Sequence, residues 1–167
     1  MKPDYKNWVP RGLLFLLGGM AIVCLAVCAV FGMAGVVTEG GLRIALGVLF
    51  GAAFLLFAIL TGIFANMYCA FSYNGKRKIS KRVIEGIAKY VKLPDGGRGL
   101  DVGCGSGALT IACAKCNPHA QMVGIDRWGK EYASFNLPLC ERNAEAEGVR
   151  NVSFSRGNAV KLDFPDE

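Results

Sequence analysis

Charge is missing from two long stretches of this chain, and that absence bounds its class. Leu13 to Val37 and Ile44 to Ala65 contain no Asp, Glu, Lys or Arg. Each run exceeds the roughly 20 residues that carry a helix across the hydrocarbon core of a bilayer. With 53% hydrophobic residues and a mean hydropathy of +0.36, the chain is too apolar for an ordinary soluble domain of its length. The first run is too long for the apolar region of a cleaved signal peptide, and no small-residue cleavage site stands out. Leu25-Ala26-Val27-Cys28 has the outline of a lipoprotein site, but Val27 is a poor residue before the cysteine and the apolar run continues beyond it. Two buried core helices are excluded because too little protein remains to cover them. Histidine is nearly absent as well: His119 is the only one, and it reads as a loop residue rather than a catalytic base. The seven cysteines are odd in number and lack a disulfide-like spacing, which argues for reduced thiols on a cytoplasmic face. Cys113-x-x-Cys116 with His119 has no fourth ligand nearby, so no metal site is expected. No aromatic residues interleave the basic ones, which argues against nucleic-acid binding. The chain has no internal repeat and no low-complexity tract.

What is present divides into four segments. Residues 1–12 are polar, with Lys2, Lys6 and Arg11 and the interfacial residues Tyr5 and Trp8. Residues 13–65 form a hairpin of two membrane-spanning helices, 13–37 and 44–65, joined by the tight connection Thr38-Glu39-Gly40-Gly41-Leu42-Arg43. Basic residues before the first span and after the second outnumber the single Arg43 between them, so both termini are expected in the cytoplasm. Gly47-x-x-x-Gly51 allows close approach of a helix, either the first span or a second copy of the protein. Residues 66–78 form a linker that ends in Lys76-Arg77-Lys78, with Lys81 and Arg82 just beyond it. This run suits anionic lipid headgroups and also serves as a topology signal. The net charge is +6 for the whole chain.

Residues 79–167 read as alternating strands and helices, an α/β fold with a parallel sheet and helices on both faces. Ser80 caps a helix to about Lys92, whose stripe is Val83, Ile84, Ile87, Ala88 and Val91. Strands are expected at Gly99–Val102, Gln121–Ile125 and Val152–Ser155. Helices are expected at Ala108–Cys116 and from Gly129 to Glu147, the latter interrupted at Pro138. The first strand runs into Asp101-Val102-Gly103-Cys104-Gly105-Ser106-Gly107. Glycines there let the backbone turn tightly and approach a ligand, and the amides of the following helix favour a polar or anionic group. The second strand ends in Asp126, 19 residues after Gly107 (126 − 107), the spacing of a strand–turn–helix–strand unit with an acid placed to hold a ribose.

Asp101-x-Gly103-x-Gly105-x-Gly107 resembles the first motif of the class I S-adenosylmethionine-dependent methyltransferases. Gly124-Ile125-Asp126 resembles their second motif, and Asn143 to Val149 with Val152–Ser155 and Gly157-Asn158-Ala159 resembles their third segment. The resemblance covers residues 79–167 and implies S-adenosyl-L-methionine as cofactor. It implies that the turn of Gly103, Cys104, Gly105 and Gly107 lines the methionine end. Asp101 would hold the ammonium group or cap the turn's amides, and Asp126 would accept both ribose hydroxyls. Arg127 or Trp128 would lie beside the adenine. Asn158, where many relatives have Asp, would accept from the adenine amino group, with the Ala159 amide against the ring. The implied activity is methyl transfer by a membrane-anchored enzyme, with no acceptor or catalytic residue identified. Gly103-x-Gly105-x-x-Ala108 also fits a loose dinucleotide fingerprint, so a nicotinamide enzyme is the rival, as is a non-catalytic membrane module docking on a partner. The class has seven strands and three are found here, so a truncated domain is expected, with its first strand left as an apolar edge.

Overall fold

A computed structural model describes residues 2–33, 40–129 and 134–162. The chain divides into two units, one formed by Asn7–Arg77, the other by the residues through Lys6 together with the chain from Lys78 onward.

In the first unit the two uncharged runs are helical. Helix α1 spans Arg11–Val27 and continues as a π-helical segment, Cys28–Met33; α2 spans Gly40–Phe71. Helical stretches of 21 and 32 residues are long and apolar enough to cross a membrane, and their side chains are largely uncovered by protein. The expected connection at Thr38-Glu39 and the end of the first span, 34–37, lie outside the described residues. Helix α2 runs six residues past the expected end at Ala65, because nothing before Asn74-Gly75 breaks the helical pattern. The helices pack side by side through small residues: Cys28 Sγ donates to the Gly47 carbonyl at 3.5 Å, and a Cβ on Gly51 would sit 3.8 Å from the same sulfur. Polar and aromatic groups tie the start of α1 to the end of α2. Asn7 Nδ2 donates to the Tyr68 carbonyl at 2.8 Å, Arg11 Nε donates to the Tyr68 hydroxyl at 2.5 Å, and Trp8 stacks on Phe71 at 5.4 Å.

The second unit is a parallel sheet in the order β1-β2-β3, with β1 at Arg98–Val102, β2 at Gln121–Asp126 and β3 at Val152–Arg156. Helices α3 (Ile79–Ala88), α4 (Ala108–Cys116) and α5 (Leu137–Ala146) accompany it. Side chains alternate across a strand, and the register pairs Asp101 with Gly124 and Gly99 with Met122. These residues face the helices: Met122 packs with Ala88, Cys113 and Ala114. Leu100, Val102 and Val123 point to the other face, where Leu100 and Val102 remain 41% and 43% exposed. The parallel α/β class is therefore observed, with the described helices on one face; no described helix lies over the second.

Three local expectations change. Ser80 does not cap α3: Lys78, in a left-handed conformation, precedes the helix, and Ser80 is buried inside its first turn. The helix stops at Ala88 rather than Lys92. Its buried stripe is only Ser80, Ile84 and Ala88, one residue every four, since α3 leans chiefly on α4 and leaves Val83 and Ile87 exposed. Pro138 does not interrupt a helix but sits in the first turn of α5, where its missing N–H costs nothing; Asn136 caps that turn by accepting from the Leu139 amide at 2.9 Å. Of the expected earlier helical stretch, 130–133 lie outside the described residues.

Gly124 has no room for a side chain: a Cβ there would lie 2.7 Å from the Phe154 ring and 2.9 Å from Thr110 Oγ1. Gly124→Ala is expected to destabilise this unit by about 1–3 kcal/mol through overpacking. Urea unfolding of the solubilised full chain, followed by Trp128 fluorescence in a Trp8→Phe background, measures it.

Candidate functional site

The carboxyl ends of β1 and β2 meet in a glycine turn. Gly103, Gly105 and Gly107 all have positive φ (81°, 57° and 77°), which glycine adopts without a Cβ penalty. The turn is strapped to β2: the Gly103 and Cys104 amides both donate to the Ile125 carbonyl, at 2.8 and 3.1 Å. Asp126 completes the junction. One carboxylate oxygen accepts from the Gly105 amide at 2.9 Å, the other from the Trp128 amide at 2.7 Å. Trp128, itself left-handed at φ 44°, turns back and donates its indole N–H to the Gly105 carbonyl at 2.9 Å. Cys140 Sγ donates to the same carbonyl from α5 at 3.2 Å.

A cleft of about 330 Å³ opens beside this junction, lined by Gly103, Gly105, Asp126, Arg127, Gly129 and Phe135. Backbone forms the glycine side of the cleft, since a Cβ on Gly103 would meet nothing within 4 Å. The structure thus brings Gly103, Gly105, Asp126 and Arg127 to one place. The other expected residues are not among those lining the cleft. Gly107 is the cap residue of α4, and Cys104 is buried. Trp128 is bonded to the turn, not among the residues lining the cleft. Asn158 and Ala159 are exposed beyond the end of β3, where Asn158 accepts from the Val160 amide and pairs with Lys161. Asp101 faces the helices and accepts from Thr110 Oγ1 at 2.6 Å.

Phe135 and Gly129 were not singled out from sequence, because nothing in their local pattern places them beside the turn. Thr110 carried a signal in hindsight: a hydroxyl placed on the sheet-facing side of α4 needs a polar partner on the sheet.

Burial pushes the Asp101 carboxyl above its ordinary value; the Thr110 hydroxyl and amide oppose that shift, and the nearby Asp126 charge adds to it. The Cys104 thiol is raised chiefly by its hydrogen bond with Cys140, then by burial, and Cys113 is pushed up to about 11 by burial. Both therefore remain protonated thiols at neutral pH. Cys113 is buried in α4 while Cys116 is exposed at its end. Among the described residues no three His, Cys, Asp or Glu side chains gather as metal ligands do.

Residues 93–167 match the profile of a methyltransferase domain family. The chain is 37% identical over 81 residues to an uncharacterized methyltransferase of Schizosaccharomyces pombe, a match covering 48% of this chain and 28% of that protein. It is 32% identical over 81 residues to a demethylmenaquinone methyltransferase of Geobacillus stearothermophilus, covering 48% of this chain and 32% of the relative. Among solved structures, the YcgJ protein of Bacillus subtilis superposes with a TM-score of 0.41 at 29% identity, covering 52% of this chain and 34% of that one. The chain spans about a third of the length of these relatives. The glycine turn and Asp126 lie within the matched stretch.

Because the Asp101 pKa is raised in the folded state, its ionised form costs stability above that pKa, and the cost is lost as pH falls through it toward the ordinary 3.8. Asp101→Asn, which keeps an acceptor for Thr110, is expected to raise the unfolding temperature at pH 7, with the gain shrinking as the solution is acidified. Thermal unfolding across a pH series reads this directly, and a gain independent of pH would place the effect outside the carboxylate's charge.

Proposed function

We propose that the protein is a membrane-anchored methyltransferase that uses S-adenosyl-L-methionine and acts on a lipophilic acceptor. The observation that carries this reading is the junction of the glycine turn with Asp126 beside the cleft, within the stretch that matches the methyltransferase domain. The residues present fit the cofactor. Bare backbone at Gly103 and Gly105 admits a ligand to the turn. Each Asp126 oxygen already holds one amide and retains a second lone pair for a ribose hydroxyl. The half-buried Asp101 carboxylate, next to the turn in sequence, would supply a negative charge for an ammonium group. The bound cofactor supplies an electrophilic methyl group. The chain's own work is to hold donor and acceptor in line, which converts an encounter in solution into a positioned reaction.

Two features support the acceptor class and the anchor. Several relatives are named demethylmenaquinone methyltransferase, after a lipophilic substrate. Two helices precede the domain that are long and apolar enough to cross a bilayer. The N-terminal residues and the chain after Lys78 belong to one unit, and Asp4 is hydrogen-bonded to Asn143. Two crossings between them keep these partners on one side; a single crossing would separate them. The excess of basic residues at both ends of the hairpin then puts that side in the cytoplasm, with Lys76-Arg77-Lys78, Lys81 and Arg82 available to anionic headgroups.

Labelled S-adenosyl-L-methionine is expected to bind the solubilised full chain. Asp126→Ala removes charge-assisted bonds worth about 1.5–3 kcal/mol, so affinity should fall about 10- to 100-fold. Undiminished binding to Asp126→Ala, or no binding to the unaltered chain, would overturn the site. For topology, tags at the two termini should be cut by protease together in inside-out vesicles and together spared in right-side-out ones. Opposite behaviour of the two tags would exclude the hairpin.

A further inference from the structure

The segment before the first apolar helix is built into the glycine turn. Asn143, on α5 and only 2% exposed, reads the backbone of Asp4 on both sides: its Oδ1 accepts from the Asp4 amide at 2.7 Å and its Nδ2 donates to the Asp4 carbonyl at 3.0 Å. The second Nδ2 hydrogen reaches the Ser106 carbonyl, also at 3.0 Å. Ser106 returns the contact, its Oγ donating to the Tyr5 carbonyl at 3.3 Å. Tyr5 is itself buried, and its hydroxyl donates to Glu147 Oε1 at 3.2 Å, while the other oxygen of Glu147 holds Lys115 of α4. Asn143, Ser106 and Glu147 thus bind residues 4 and 5 to α5, its C-terminal end and the turn across more than a hundred positions of sequence.

We propose that Asp4 and Tyr5 form a strap that positions the glycine turn, with Asn143 and Ser106 as the positioning residues. Ser106 lies between Gly105, whose amide is held by Asp126, and Gly107, which caps α4. Three glycines in left-handed conformations give the turn a large conformational entropy to lose, and the clamp on Ser106 restrains the segment between two of them. The amide of Asn143 is needed as such. A carboxylate in its place has no hydrogen to give and would face two carbonyl oxygens. The strap continues directly into the first apolar helix, so the anchor and the turn are joined by a few residues of chain. That the turn holds S-adenosyl-L-methionine rests on the proposed function; that the strap holds the turn does not.

Hydrogen exchange of the full chain in micelles, without cofactor, separates the two. Deletion of residues 2–5, and separately Asn143→Asp, should speed exchange of the 103–107 amides about tenfold, the loss of roughly one net hydrogen bond, while β2 at 121–126 keeps its protection. Unchanged exchange over 103–107 in the deletion protein overturns the strap. Should the deletion loosen β2 as well, Ser106→Ala decides, since it removes a single hydroxyl: faster exchange confined to 103–107 supports the strap, and unchanged exchange overturns it. Affinity for S-adenosyl-L-methionine should fall in step with the faster exchange. A chain whose turn responds to the strap but which binds no S-adenosyl-L-methionine would reject the cofactor reading and leave the strap standing.

Discussion

The site depends on one carboxylate. Asp126 stands at the end of β2 and spends an oxygen on each of two loops, the glycine turn after β1 and the reversal at Trp128. Hydrogen bonds to an ionised acceptor are about twice as strong as neutral ones, and these two set the separation of the loops that border the cleft. The indole of Trp128 closes the ring of contacts by returning to the Gly105 carbonyl. A short side chain at the end of a parallel strand thus organises backbone from two directions, and the cleft opens beside them.

Beneath the turn, the sheet trades side-chain volume for closeness. Gly99, Gly124 and Gly107 leave space that Met122 and the Phe154 ring occupy, and Thr110 comes near enough to Gly124 to reach Asp101. Interiors packed at crystal density tolerate little change in volume, so these glycines, the ring and the buried hydroxyl form one mutually constrained set. The opposite face of the sheet carries apolar Leu100, Val102 and Val123 with polar Ser153 and Ser155, and among the described residues it has no comparable layer.

The apolar unit follows a different logic. Its two apolar helices meet through close packing of small residues and through polar contacts. Cys28 against Gly47 and Gly51 provides the first, and Asn7 and Arg11 on Tyr68 provide the second. The aromatic pair Trp8 and Phe71 lies at the same end.

Several features follow from sequence alone because they are local. Uncharged runs require helices of membrane length. The glycine spacing requires a turn after a short strand, and the alternation of strands and helices requires a parallel sheet. The positions of Gly103, Gly105 and Asp126 were legible for the same reason: strand, turn, helix and strand occur in fixed order within 26 residues, 101 to 126. Features that depend on distant partners were not legible. Ser80 looks like a cap until its burial against the core is seen, and Pro138 looks like a break until Asn136 is found capping the helix that starts beside it. Phe135 reaches the cleft, and Asn143 reaches Asp4, only through the path of the chain in space. Backbone propensity and residue periodicity act over a few positions, so sequence determined the elements and the turn. Which side chains meet across a hundred residues depends on packing, and that was decided by the tertiary structure.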